Sequence, residues 1–114
     1  MTQRSMDKNK VILDAFIEKL RPEDLEIRKE LDFGYSYENQ TVVFYEITPD
    51  WQDNTNLIKM EFAKLRYYQS RDEWNLYWMR ASGNWERYEP LAESKRLNTL
   101  LAVISEDSLG CFFG

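Results

Sequence analysis

Residues 41–48 read TVVFYEIT, and this run decides the fold class. Seven of its eight residues are β-branched or aromatic, and Glu46 is the exception. Such side chains fit the pleated surface of a strand better than a helix. Because apolar residues occupy both alternating sets of positions, the run predicts a strand that is covered on both faces.

The segments on either side predict further strands joined by short polar turns. The strands are predicted at residues 27–35, 41–48, 59–69, 74–81 and 85–89. Turns are predicted at residues 38–40, 70–73 and 82–84. Pro49 cannot continue a central strand, so the longest loop is expected at residues 48–55. The sequence therefore predicts an antiparallel meander sheet of about five strands over residues 27–89.

Amphipathic helices are predicted at both ends of the sheet, over residues 6–20 and 94–106, from apolar residues at three- and four-residue spacing. Ser5 or Asp7 can cap the first helix. We expect both helices to cover one face of the sheet in a single α+β domain, residues 1–114. A small closed barrel is the alternative that the pattern leaves open.

The composition excludes several kinds of site. The 114 residues carry 15 basic and 20 acidic side chains, and the net charge of −5 does not favour general binding to nucleic acid. The chain has no histidine and one cysteine, Cys111, which excludes imidazole catalysis, a typical zinc site and an intramolecular disulfide. The four glycines are scattered and form no phosphate-binding loop. We expect no cofactor and no bound metal.

No apolar run is long enough to cross a bilayer, and the first residues carry no signal-peptide core. The sequence therefore predicts a soluble, cytoplasmic protein without a membrane partner.

Several aromatic motifs carry a family resemblance. They read YEITPDW at residues 45–51, AKLRY at 63–67, WNLYWMR at 74–80, WERYEP at 85–90 and GCFFG at 110–114. In this order they resemble the bacterial family catalogued as domain of unknown function 3024. Thr48 stands where the resemblance leads us to expect an arginine. The resemblance implies a single domain and no particular activity.

The last predicted strands suggest a binding surface. If both hairpin loops have even lengths, Trp78 and Arg80 share a sheet face with Trp85 and Arg87. Aromatic rings interleaved with guanidinium groups are suited to gripping a peptide or stacking on unpaired bases. The simpler interpretation is that these rings fill the core and the arginines cover its rim.

The tail, residues 107–114, contains two adjacent phenylalanines, Phe112 and Phe113, and the single thiol of Cys111. We expect the phenylalanines to dock on the domain, near Trp51 or the C-terminal helix, with an exposed patch for a partner as the alternative. Cys111 is expected to pack with them as a small apolar group, because the nearby Glu106 and Asp107 raise a thiol pKa.

Carboxylates cluster near the longest predicted loop. Glu46, Asp50 and Asp53, together with Asn54 and Asn56, offer oxygen ligands, but their spacing does not match an EF-hand. Turn formation explains them more simply.

Two hypotheses for the function follow. The first is a non-catalytic interaction module that binds through Trp78, Arg80, Trp85, Arg87, Phe112 and Phe113. Its expected partner is a protein or peptide ahead of a single-stranded nucleic acid. The alternative is a small hydrolase or transferase that uses Glu46 and Asp50, with Arg80 as an electrostatic clamp. The lack of ordinary catalytic groups favours the interaction module.

Overall fold

The computed structural model describes residues 7–53, 55–107 and 109–113. Its elements are α1 (Lys8–Leu20), α2 (Leu25–Arg28), β1 (Asp32–Glu38), β2 (Thr41–Pro49), β3 (Leu57–Tyr68), β4 (Glu73–Met79), β5 (Trp85–Arg87), a 3-10 helix (Glu89–Leu91), β6 (Glu93–Ser94) and α3 (Leu97–Glu106). The predicted α+β class, with an antiparallel sheet between two terminal helices, is confirmed. Asp7 caps α1 by accepting a hydrogen bond from the Asn9 amide at 2.9 Å, and Ser5 lies outside the described residues.

The sheet is a meander in which β1 to β5 each pair with the strand next in sequence, and β6 pairs with β4. The first turn lies where it was predicted. Glu38 pairs with Thr41, and the two residues between them, Asn39 and Gln40, have φ angles of 52° and 62°. Positive φ at both positions matches the twist that a two-residue hairpin needs. Among the described residues β1 and β5 do not pair, so the sheet is open rather than a closed barrel.

The helices α1 and α3 pack on the same face of the sheet and complete one core. The ring of Phe16 in α1 meets the ring of Phe44 in β2 edge to face, with centroids 5.3 Å apart. The other buried members are Leu13, Ile17, Val42, Phe62, Ala63, Leu65, Trp74, Leu76, Tyr88, Leu97, Leu100, Leu101, Ile104 and Phe112. Burying each large apolar side chain contributes about 1.5–3 kcal/mol, so this face supplies the main driving force for folding.

The first predicted strand begins later than expected. Ile27 lies in α2, a single helical turn whose N-cap is Asp24. The Asp24 carboxylate accepts a hydrogen bond from the Glu26 amide at 2.8 Å. Because this cap stabilises a helical turn, residues 25–28 are helical although their apolar alternation predicts a strand, and β1 starts at Asp32.

The last part of the sheet also differs from the prediction. After β5 the chain leaves β4 for the 3-10 helix, which contains Pro90, and returns as the short β6. The backbone of Leu76 in β4 bonds to the chain just before and just after the 3-10 helix. Its amide donates to the Ala92 carbonyl at 2.7 Å, and its carbonyl accepts from the Tyr88 amide at 2.9 Å. The helix predicted from residue 94 therefore starts at Leu97.

An ion pair joins the end of α1 to the start of β1. The Arg21 guanidinium donates from Nε and Nη2 to the two oxygens of Asp32, at 2.8 and 3.0 Å. The Asp32 side chain is only 18% exposed. Hydrogen bonding from Arg21 is the main cause that lowers the pKa of Asp32, and a hydrogen bond from the Phe33 amide adds to it.

We predict that Asp32→Asn destabilises the domain by about 1–2 kcal/mol at pH 7. Because folding lowers the pKa of Asp32, the stabilisation is complete above the ordinary carboxyl pKa and is lost as the pH falls below it. Urea unfolding at pH 7 and pH 3 measures this. The difference between wild type and variant should shrink at pH 3, while the exposed Glu23→Gln should change little at either pH. A pH-independent difference would contradict the assignment.

Candidate functional site

The second face of the sheet is not covered by a described helix, and we call it the open face. Val43, Tyr45 and Ile47 of β2 lie on it and are half-buried, whereas Val42 and Phe44 of the same strand are buried under the helices. The prediction that residues 41–48 are covered on both faces is therefore wrong. Residues that pair across strands share a face, so the strand register defines the surface. Its central side chains are Val43, Tyr45, Lys64, Arg66, Tyr68, Tyr77, Met79, Trp85 and Arg87.

Lys64 lies at the centre of the open face between two aromatic rings. Its ammonium nitrogen is 4.8 Å from the centroid of Tyr77 and 5.2 Å from that of Trp85. The hydroxyls of Tyr77 and Tyr68 are hydrogen-bonded at 3.1 Å. Burial raises the pKa of Tyr77, and the contact with Tyr68 adds to this effect. The phenol therefore stays neutral and hydrogen-bonded at physiological pH, which fixes its ring beside Lys64.

Three further contacts of the same kind flank this centre. The Lys59 ammonium lies 4.8 Å from the centroid of Tyr45, whose ring lies over Gly34, since a Cβ on Gly34 would be 2.8 Å from it. The guanidinium groups of Arg66 and Arg71 lie 5.5 and 4.5 Å from the ring of Tyr68. Each contact of this type contributes about 0.5–1 kcal/mol at an exposed site. The open face is thus an ordered array of rings and cations.

Carboxylates occupy the margin of the open face. Glu93 pairs with Arg87 at 2.7 Å, and Glu73 pairs with Arg71 at 3.2 Å. Within the described part of the chain, no carboxylate lies within 4.0 Å of the cationic groups of Lys59, Lys64 or Arg66. These three cations, all on β3, can therefore accept an anionic partner without breaking an ion pair.

The register separates the predicted tryptophan and arginine residues. Trp85 pairs with Met79 and Arg87 pairs with Tyr77, so both lie on the open face. Trp78 lies on the other face, packed against the core. The loop between Met79 and Trp85 has five residues, 80–84, and includes Gly83 at a φ of 91°. Compared with the even loop that the prediction assumed, an odd loop places every residue of the following strand on the opposite face. The predicted grouping of Trp78 with Trp85 and Arg87 is therefore wrong.

The two arginines are held differently. Arg80 is exposed and pairs with Glu86 at 2.7 Å across the loop. Arg87 is half-buried, and the hydrogen bond to Glu93 raises its pKa further. Its Nε atom is buried without a hydrogen-bond partner among the described residues. Arg87 therefore links β5 to β6 as well as bordering the open face.

The tail docks on the domain, as expected. Phe112 is 4% exposed and its ring lies 5.0 Å from that of Tyr88. Phe113 packs between Phe33 and Phe62, at 6.2 and 5.1 Å. Of the two places expected for the tail, the end of the C-terminal helix is the one that holds it, whereas Trp51 is 87% exposed.

The docking is anchored at the end of α3. The two oxygens of Asp107 accept hydrogen bonds from the Phe112 and Phe113 amides at 2.9 and 2.8 Å. Asp107 itself has a φ of 45°, which turns the chain back toward the sheet. Gly114 lies outside the described residues.

The residues of the enzyme hypothesis are only partly brought together. Glu46 and Arg80 line one groove of about 490 Å³ with Cys111, whereas Asp50 lines another, beside Trp51. The charge of Arg80 is already engaged by Glu86. Geometry does not assemble the proposed pair of carboxylates around Arg80.

The loop carboxylates serve the turn itself. Asp50 accepts from the Gln52 amide at 2.9 Å, and Asp53 accepts from the Thr55 hydroxyl at 2.6 Å. Asn54 lies outside the described residues.

No group of three potential metal-ligating side chains occurs among the residues that the structure describes. No described helix is long and apolar enough to cross a membrane.

Tyr45, Lys64 and Tyr77 were not singled out from the sequence. A signal was present, because both predicted helices are expected on one face of the sheet, which leaves the other face without a helix. Side chains alternate between the two faces along each strand, so the residues that alternate with the core residues have to form the second face.

We predict that Phe112→Ala destabilises the domain by about 3–4 kcal/mol, since it leaves a cavity beside Tyr88. Chemical denaturation measures the change. Leu109→Ala, at a residue that is 65% exposed, is the control and should cost less than about 0.5 kcal/mol. A loss below about 1 kcal/mol for Phe112→Ala would show that the tail is not part of the core.

We also predict that Cys111 reacts slowly. Burial raises the pKa of its thiol, and Asp107 and Glu86 raise it further. Since the thiolate is the reactive form, the rate with a disulfide reagent at pH 7.5 should be at least about tenfold below that of a free cysteine. Denaturation should restore the rate. A fast reaction in the native state would mean that the thiolate is accessible and stabilised.

Comparison with known proteins identifies a family. Neither a curated protein nor a solved structure matches the chain significantly. A family profile described as Domain of unknown function (DUF3024) matches residues 2–114. Because this match covers almost the whole sequence, the chain belongs to the DUF3024 family.

Proposed function

We propose that the domain is a non-catalytic protein-interaction module, and that its open face binds an acidic segment of a partner protein. The observation that carries the proposal is the cluster of Lys64, Tyr77 and Trp85 on a face that no described helix covers.

The composition of the open face favours a protein partner. Tyrosine, tryptophan, methionine and arginine are the residues enriched at the centres of protein interfaces. Tyr45, Tyr77, Met79 and Trp85 lie together here and are half-buried. The three rings among them are already held by a lysine or a hydroxyl group, so ordering these rings on binding costs little additional side-chain entropy.

The cations of β3 favour an acidic segment. Lys59, Lys64 and Arg66 point to the open face, and no described carboxylate neutralises them. A docked partner would exclude water from Lys64, which strengthens its attraction to a carboxylate.

The carboxylates of the open face argue against a nucleic acid. Glu61, Glu73 and Glu93 lie on the same face and would repel a continuous phosphate backbone. The net charge of −5 adds to this repulsion. Isolated carboxylates on a protein can instead reach the cations and avoid the acidic margin.

Selection of phage-displayed random dodecapeptides on the wild-type domain tests the proposal. We predict that the selected peptides are enriched in Asp and Glu. Lys64→Glu should weaken their binding by at least about tenfold, because it reverses the central charge. Trp85→Ala should weaken it without unfolding the domain. Fluorescence anisotropy of the synthesised peptides measures both effects.

Lys8→Glu, a matched charge reversal on the exposed side of α1, is the control and should bind normally. Selected peptides without acidic enrichment, or peptides indifferent to Lys64→Glu, would overturn the proposal. A labelled single-stranded oligothymidylate is tested in parallel. If it binds more tightly than every selected peptide, the face is a nucleic-acid site.

A further inference from the structure

The hairpin of β2 and β3 extends beyond its neighbouring strands, and we call residues 48–62 the arm. Residues 48–58 lie beyond both neighbours, and residues 59–62 lie beyond β4 alone. β1 pairs with β2 only as far as Ile47, and β4 pairs with β3 only from Ala63. The Cα radius of gyration, 15.1 Å, exceeds the roughly 13 Å of a compact chain of this length. Beyond Ile47 and Lys59 the arm is a two-stranded ribbon, which has little stability by itself in water and would gain from a partner surface.

One edge of the arm has no strand beside it. The Asp50 amide donates to the Asn56 carbonyl at 3.0 Å, which makes this a hydrogen-bonded pair at the end of the ribbon. Because hydrogen-bonded pairs alternate along an antiparallel ladder, the backbone groups of Ile58 face β2 and those of Leu57 and Lys59 face away. Within the described chain no other backbone group bonds to that side of Leu57 or Lys59. This edge can therefore receive a further strand.

Apolar side chains are concentrated at the same place. Leu57 is 65% exposed, Ile58 39% and Met60 61%, and Trp51 lies at the tip of the arm. Leu57 stands on one face of the ribbon, and Ile58 and Met60 stand on the other. An exposed strand edge flanked by apolar side chains on both faces marks an interaction site.

A second copy of this chain can pair along this edge around a two-fold axis, and the neighbouring strands restrict where that axis lies. A two-fold axis at Lys59 would place the two Lys59 side chains directly opposite each other, and their like charges would repel. An axis at Met60 would drive the tip of the second arm into β4, which occupies the edge from Ala63 onward. An axis at Ile58 pairs Leu57 with Lys59 of the second copy in both directions, and these are the residues whose backbone groups face outward.

We propose that two copies of the domain pair through their arms, with the β3 strands antiparallel around Ile58. The pairing satisfies the outward groups of Leu57 and Lys59 in both chains. It also brings the two Ile58 side chains together and covers Met60. The contact is small and gives a reversible, concentration-dependent dimer. Of the open-face residues it involves only Lys59, so the central cluster of Lys64, Tyr77 and Trp85 remains available in each copy.

Sedimentation velocity over about 5 to 500 µM tests the proposal with the intact chain. Wild type is expected to shift from monomer to dimer as the concentration rises. Ile58→Lys places two like charges at the axis and should raise the dimer Kd at least about tenfold. Lys59→Pro removes an outward amide that makes no bond to β2, and should have the same effect.

Val11→Lys, a change at an exposed apolar residue of α1, is the matched control and should dimerise like wild type. Circular dichroism verifies that each variant is folded, and Ile58→Lys decides the test if Lys59→Pro unfolds. A wild type that stays monomeric at 500 µM overturns the proposal. So does a dimer that Ile58→Lys leaves unchanged. Lys64→Glu should not alter sedimentation, which separates this proposal from the function proposed for the open face.

Discussion

The number of amphipathic helices limits what the sheet can bury. A sheet of six strands has two faces, and within the described residues α1 and α3 are the only long helices that can cover them. Both pack on one face, where Leu13, Phe44 and Leu100 are fully buried. The other face must then be stable in contact with water, and this requirement explains its composition.

The open face meets that requirement without a second apolar core. Its rings are shielded by the aliphatic stems and charged ends of Lys59, Lys64 and Arg66, which lie over them. Such side chains cover apolar surface while their charge stays hydrated. The same arrangement prepares the surface for a partner, because a carboxylate can replace water at the cation while the ring beneath stays in place. Stability and binding capacity thus arise from one set of contacts.

Unequal strand lengths account for the arm. β3 has 12 residues and β4 has 7, and the bulge near Tyr45 lies where the two strands separate. An extra residue in a bulge bends the strand and increases its local twist, so the sheet changes direction where β4 ends. The arm and the centre of the open face thus lie at different ends of β3, and Lys59 belongs to both features.

The sequence was sufficient for the elements that depend on local composition. The run from Thr41 predicts β2 almost residue for residue, and the turn at Asn39 and Gln40 follows from its residue types. Local composition did not determine whether the loop around Gly83 has an odd or an even number of residues. That number decides whether Trp85 faces the core or water. Nor did it reveal β6, since a strand of two residues is too short to show an alternating apolar pattern. The candidate site was missed for the same reason, because a face is a property of register rather than of any single strand.

The meander has a consequence for how the chain folds. From β1 to β5, every strand pairs with the one next to it in sequence, so each pairing closes only a short loop. Folding rates rise as contacts become more local, and successive hairpins can form without waiting for distant segments to meet. The docking of α1 against α3 is the exception, since it joins opposite ends of the chain. The hairpins therefore need only local contacts to form, whereas the packing of the two helices requires the ends of the chain to meet.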